Sequence, residues 1–316
     1  MTELRTAAET AIHQCMNLKN SESCVIVTDD QLYPIGDALY DVASEVTPDT
    51  MIINYPPGAT DGSEPPASVA AAMAESDVVL APTSKSLSHT RARTNATEEG
   101  VRIATLPGVT EDLFVSGLDV EYSVIESHCQ NIRRQVDEAD EIRVTTNGGT
   151  DITFTIGDRS FMSDTGIVHD PGQMSNLPAG EVAVSPTTAN GTFVVDGTMM
   201  PYGLLEGEKL RFEVEDGLVV KISDNQLRDI IDDAAEKVGK AAYNVAELGI
   251  GANVAITDLV GSVLLDEKAA GTVHIAIGDD VGMGGDVEAP IHLDGIIKSP
   301  TVYADGEVVD LPTNSK

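Results

Sequence analysis

The chain has 316 residues, 41% of them hydrophobic, which suffices for two ordinary domains because a single core stops growing near ~250–300 residues. Nineteen basic residues stand against 52 acidic ones, a formal net charge of -33 that repels nucleic acid and anionic lipid, so neither is expected as a partner. Only nine lysines, no tryptophan and 4% aromatic residues point to a halophilic cytosol, where screening contracts to ~3 Å at 1 M salt.

Met1-Thr2-Glu3-Leu4-Arg5 has no basic segment leading into an apolar one, and no apolar run approaches the ~20 residues of a bilayer span. A cytoplasmic protein is expected. Cys15, Cys24 and Cys129 lie too far apart for a metal knuckle and are read as buried small apolar residues.

Residues 4–18 predict a helix. Short apolar runs follow at 25–28, 51–55, 77–82 and 101–106, separated by helix-sized polar stretches, among them the helix former 67–75. This rhythm predicts βαβ units and a buried parallel sheet, an N-terminal α/β domain over 1–140. Thr28-Asp29-Asp30-Gln31 stands where a dinucleotide fold would place its glycine-rich loop, so no nucleotide cofactor is expected.

From 141 the period changes to two. Ile142–Thr146 and Ile152–Ile156 flank a Gly148-Gly149 turn, a hairpin pattern, and further strands are expected at 191–197 and 211–222. A helix over 226–243 carries Leu227, Ile230, Ile231, Ala234, Val238 and Ala241 on one stripe. Residues 141–316 are therefore expected to form a mixed, strand-rich α+β domain that binds metal.

Chemistry concentrates in that second part. His292-Leu293-Asp294 lies in an apolar strand, where residues two apart face the same way, so imidazole and carboxylate converge. His274 interrupts the apolar run Thr272–Gly278 and needs a partner, since an unpaired buried polar group costs ~1–3 kcal/mol. Glu181 and Glu247 are acids in apolar, glycine-flanked surroundings. Two histidines, two glutamates and one aspartate form a donor set suited to Zn, Mn, Co or Fe(II). Glu267 is a candidate further ligand or general acid/base, and His89 and Arg93, after the third strand, are candidates for binding a substrate carboxylate.

The strings Asn176-Leu177-Pro178-Ala179-Gly180-Glu181-Val182, Ala246-Glu247-Leu248-Gly249-Ile250-Gly251, Asp266-Glu267-Lys268 with Gly271–Gly278, and His292-Leu293-Asp294 together resemble the aminopeptidase T / AmpS family of metallopeptidases. Ser86–Arg93 and Gly100–Gly108 extend the resemblance to about residues 20–310. It implies a two-domain homodimer acting on small peptides or other small molecules. It also implies a co-catalytic pair of divalent ions, Zn, Co or Mn, on Glu181, Glu247, His274, His292 and Asp294, activating a bridging water.

The chain departs from those peptidases at Val281, where the family carries a tyrosine seven residues after the matched histidine. The related dihydroxypyridine dioxygenases share the scaffold and keep a His-x-Asp pair in a mononuclear Fe(II) centre, for which His274, His292 and Asp294 would supply two histidines and one carboxylate. The retained acids Glu181 and Glu247 favour the hydrolytic reading, so an aminopeptidase-like hydrolase is the main expectation and the dioxygenase its alternative.

Overall fold

The apolar runs of the N-terminal part become the strands Cys24–Thr28, Thr50–Asn54, Val78–Ala81 and Arg102–Thr105, and all pair in parallel. Parallel strands covered on both faces read as unbroken apolar runs, and three of the four are buried throughout. Thr50–Asn54 is an edge strand and is only partly covered. Helices Tyr33–Val46, Ala67–Ala74, Arg91–Glu98 and Glu111–Leu118 supply the crossovers. A core of Val25, Val27, Val79, Ala81 and Ile103 packs against Val69, Met73 and Leu87.

The computed structural model describes residues 3–313, which divide into two compact units, one formed by the chain up to Glu126 with Asp164–Ala179 and the other by Ser127–Ser163 with the chain from Gly180 onward. The first unit thus takes back a segment of chain after leaving it, and Met174–Asn176 adds a fifth parallel strand beside Arg102–Thr105. Three residues carry no detectable period, so this strand escapes sequence reading. The first helix also stops short of 18. It runs as α-helix over Glu3–Glu9 and as π-helix over Thr10–Cys15, then ends where Asn17 takes a φ of 47°, a conformation asparagine tolerates.

The second unit holds two seven-stranded sheets. One contains the expected hairpin, Glu141–Thr145 against Asp151–Thr155 with Val144 opposite Ile152, and continues through Thr188–Val195, Leu210–Glu215 and Leu218–Ile222. The helix Asn225–Val238 passes into a 3-10 turn over Gly239–Tyr243. The other sheet orders Gly203–Leu204, Thr198–Met199, His292–Lys298, Thr272–Gly278, Val245–Gly251, Glu181–Val184 and Met162–Asp164 side by side. The fold is thus a parallel α/β unit together with a mixed, strand-rich unit. All three cysteines are buried thiols, and no helix among the described residues is long and apolar enough to cross a membrane.

Candidate metal centre

Four adjacent antiparallel strands bring five of the expected ligands together, and register decides which way each side chain faces. Glu247 lies opposite Ala276, which lies opposite Asp294. His274 lies opposite Gly249, Glu181 opposite Gly251, and His292 opposite Gly278. Each long donor therefore has at least one cross-strand neighbour with little or no side chain, His274 having Ile296 on its other side, and this leaves room for the donors to lean together. The other face carries Leu248, Ile250, Val273, Ile275 and Ile277, all fully buried.

Glu247 shares the register of Leu248, Gly249 and Ile250, so alternation with Gly249 places it on the donor face, and a register shift lies just before it, between Val245 and Glu247. Val245 pairs with Ile277 of the apolar face and Glu247 with Ala276 of the donor face. The extra residue, Ala246, breaks the alternation, so Val245 turns to the apolar face instead of the donor one.

The donors are close, and His274, Glu247 and Asp294 are buried, whereas the His292 side chain is 34% exposed. His274 Nε2 is 3.2 Å from Glu247 Oε1 and 3.4 Å from Glu181 Oε2. His292 Nε2 is 3.2 Å from Glu247 Oε2 and 3.4 Å from Asp294 Oδ1. His274 is 1% exposed, Glu247 6% and Asp294 7%. His292 Nδ1 lies 2.7 Å from the carbonyl of Asp279, which orients the ring with Nε2 inward, a common arrangement behind a ligating histidine.

Burial alone would lower the His274 pKa, but the hydrogen bond with Glu247 and the charges of Glu247, Glu181 and Glu267 lift it to about 10. His292, likewise opposed by burial, is lifted to about 12 by Asp294 and Glu247. Burial would raise the Glu247 carboxyl, yet the two imidazoles that bond to it hold it well below the usual carboxylate range. Glu267 moves the other way. Burial raises it to about 7, against Lys268, with the charges of Glu181 and Asp294 adding to the rise.

Glu267 and Lys268 follow the short helix Val263–Asp266, which is pinned by Asp266. The Asp266 carboxylate accepts hydrogen bonds from Thr198 Oγ1 and from the backbone N–H groups of Val260, at 2.9 Å, and Gly261, at 2.8 Å. Gly251 lets this segment pass close, since a Cβ there would collide with the backbone of Lys268 and Ala269. Lys268 is a site residue that sequence reasoning assigned no role. It is 1% exposed, its Nζ donates to Glu181 Oε1 at 3.2 Å, and it also bonds to Glu267 Oε1. A lysine next to a glutamate reads as surface charge; only burial distinguishes it.

The donor chemistry fits a divalent cation. Among the described residues three sets, Glu181 with Glu247 and His274, Glu247 with His292 and Asp294, and Glu267 with His274 and Asp294, each bring their ligand atoms within 4.8 Å of one another. Carboxylates crowded this way, in a cradle that any side chain at Gly249 would fill, call for positive charge in their midst. Glu267 thus joins the expected ligands. His89 and Arg93 do not belong to this cluster of the second unit. His89 precedes the helix Arg91–Glu98 rather than lying on it, and Arg93 Nε donates to the Ser88 carbonyl at 2.7 Å.

Comparison with known proteins shows the family to which this arrangement belongs. A family model described as NicX: 2,5-dihydroxypyridine 5,6-dioxygenase matches residues 55–311. The 2,5-dihydroxypyridine 5,6-dioxygenase of Pseudomonas putida KT2440 is 22% identical over 187 residues, 55% of this chain and 53% of that protein, so the match spans about half the length of that relative. Among solved structures, 2,5-dihydroxypyridine dioxygenase from Pseudomonas putida KT2440 aligns with a TM-score of 0.81 at 16% identity, covering 98% of this chain and 96% of that one. Wild-type AmpT from Thermus thermophilus aligns at 0.67 and 18% identity over 98% and 99% of the two chains.

At such identities the two structures speak for a shared scaffold, which the peptidase resemblance had also detected. The family match and the curated relative overturn the main expectation of an aminopeptidase-like hydrolase and metalloprotease, and favour its ring-cleaving alternative. The retained acids Glu181 and Glu247 misled because carboxylates serve hydrolytic and oxidative metal centres alike. The chain belongs to the family described as NicX: 2,5-dihydroxypyridine 5,6-dioxygenase.

Proposed function

We propose that this protein is a ring-cleaving dioxygenase for a dihydroxylated pyridine, dependent on one ferrous ion held by His274, His292 and Asp294 with Glu247 between the two imidazoles. The observation that carries the reading is the family match over 55–311, which contains every donor from Glu181 to Asp294. Two histidines and one carboxylate around Fe(II) leave positions for dioxygen and for the substrate's oxygens, which is the chemistry such an ion supplies.

The chain's own groups prepare that site. The Asp279 carbonyl fixes the ring of His292, and the Glu247 carboxylate holds both imidazoles at 3.2 Å. Glu267, with its pKa near 7, can hold or release a proton at its carboxyl close to neutrality, which suits it to the hydroxyl protons of the substrate. Burial of His274, Glu247 and Asp294 strengthens the electrostatic contacts they make. His89 and Arg93 are proposed to recognise an anionic substrate group, and the active form is proposed to be a homodimer.

The test is oxygen uptake by the purified, Fe(II)-loaded protein with 2,5-dihydroxypyridine at high salt. Uptake that matches loss of the pyridine ring absorbance is expected. Absence of uptake with ferrous ion bound would overturn the reading.

A further inference from the structure

The centre holds more acid than one ferrous ion uses. Glu181, Glu247, Glu267 and Asp294 surround two imidazoles, and their atoms form three overlapping ligand sets. By donor count alone a second divalent ion could enter, as in hydrolytic two-metal sites.

Lys268 meets this surplus. Its ammonium is 1% exposed and bonds to Glu181 and Glu267. Each of two ligand sets contains one of those acids, and the third, Glu247 with His292 and Asp294, contains neither. A buried cation that satisfies two carboxylates competes with a metal ion for the same oxygens, and removing it leaves their charge uncompensated. The position of Lys268 is held independently of its side chain, because its carbonyl accepts from Asn253 N at 2.8 Å and Gly251 admits its backbone.

We infer that Lys268 is an internal cation standing in for a second metal ion, a positioning residue that restricts the centre to one. The inference rests on the single-ion reading above. It concerns how many ions the donors accept, not what the loaded centre does to a substrate.

The experiment measures bound Mn2+ per chain by elemental analysis and reads the electron paramagnetic resonance spectrum of the same samples. Wild type is expected to bind one ion with an isolated-ion spectrum, and K268R, which keeps the charge, to do the same. K268Q is expected to bind two ions with an exchange-coupled spectrum and to gain thermal stability with Mn2+ concentration beyond the wild-type gain. Because K268Q leaves two acids uncompensated, the double variant E267Q/K268M provides a milder test. It retains Glu181, Glu247 and His274 and is also expected at two ions.

One ion with an isolated spectrum in folded K268Q or E267Q/K268M would overturn the role of Lys268 while sparing the single-ion reading. Two ions in wild type would overturn both.

Discussion

Gly249 lies directly opposite His274 in the antiparallel pairing, and a Cβ at 249 would come within 2.0 Å of Cε1 and Nε2 of the imidazole. The floor under the ligand is therefore the absence of a side chain. Gly249→Ala should force His274 out of its place, destabilise the fold by about 1–3 kcal/mol, as overpacking does, and weaken metal binding at least about tenfold. Thermal unfolding and metal titration check the two effects separately.

Glu247 touches both imidazoles through its two oxygens. In Glu247→Gln one oxygen becomes a donor that faces an imidazole, and the charge that fixes both rings is lost. Metal affinity should fall by about 10–100-fold with little change in secondary structure. Unchanged affinity by calorimetric titration would show that Glu247 is not part of the centre.

Protons and a cation compete for the same ring nitrogens. The pKa values of His274 and His292 are raised to about 10 and about 12, so each imidazole keeps its proton through neutral pH, and a binding cation must displace it. The sign follows. Binding releases protons, up to two per ion, and affinity climbs as pH rises from 6 to 9. Titrations at pH 7 in buffers of differing ionisation enthalpy measure the protons released, and a heat that does not depend on buffer would refute the competition.

Asp280 is 3% exposed and organises the loop before His292. Its carboxylate accepts from Ser185 Oγ and Asn244 Nδ2 at 3.0 Å and from Val287 N at 2.7 Å. Asp280→Ala removes three hydrogen bonds, taking the acceptor from Ser185 Oγ and Val287 N while Asn244 Nδ2 keeps the Gly278 carbonyl, and should cost about 2–4 kcal/mol. Because Asp279 next to it orients His292, metal affinity should fall as well. Denaturant unfolding and metal titration of the same variant would check both.

The net charge of -33 repels itself at low ionic strength. Raising KCl from 0.1 to 2 M should raise Tm by about 4–8 °C, equivalent to about 2 kcal/mol. A melting temperature that falls with salt would argue against halophilic adaptation.

Much of the fold was legible because it follows from period and length. Four apolar runs separated by helix-sized stretches pointed to parallel strands, three of them buried throughout, and alternation around Gly148-Gly149 pointed to a hairpin. The strand Met174–Asn176 was not legible, because its pairing with Arg102–Thr105 depends on a chain return that no local pattern encodes. At the centre, Glu181, Glu247, His274, His292 and Asp294 stood out as polar residues in apolar or glycine-flanked segments, whose burial demands partners.

What the amino-acid sequence determined by itself, then, was the alternation of elements, the excess of acid and five candidate donors. Only the tertiary structure decided how those donors face one another, through a cross-strand register that gives each a glycine or alanine as a neighbour. It also decided that Lys268, an unremarkable neighbour of Glu267 along the chain, is a buried counter-charge. The reason is physical: a side chain's type is local, but its burial, its partners and therefore its charge state arise from residues distant along the chain.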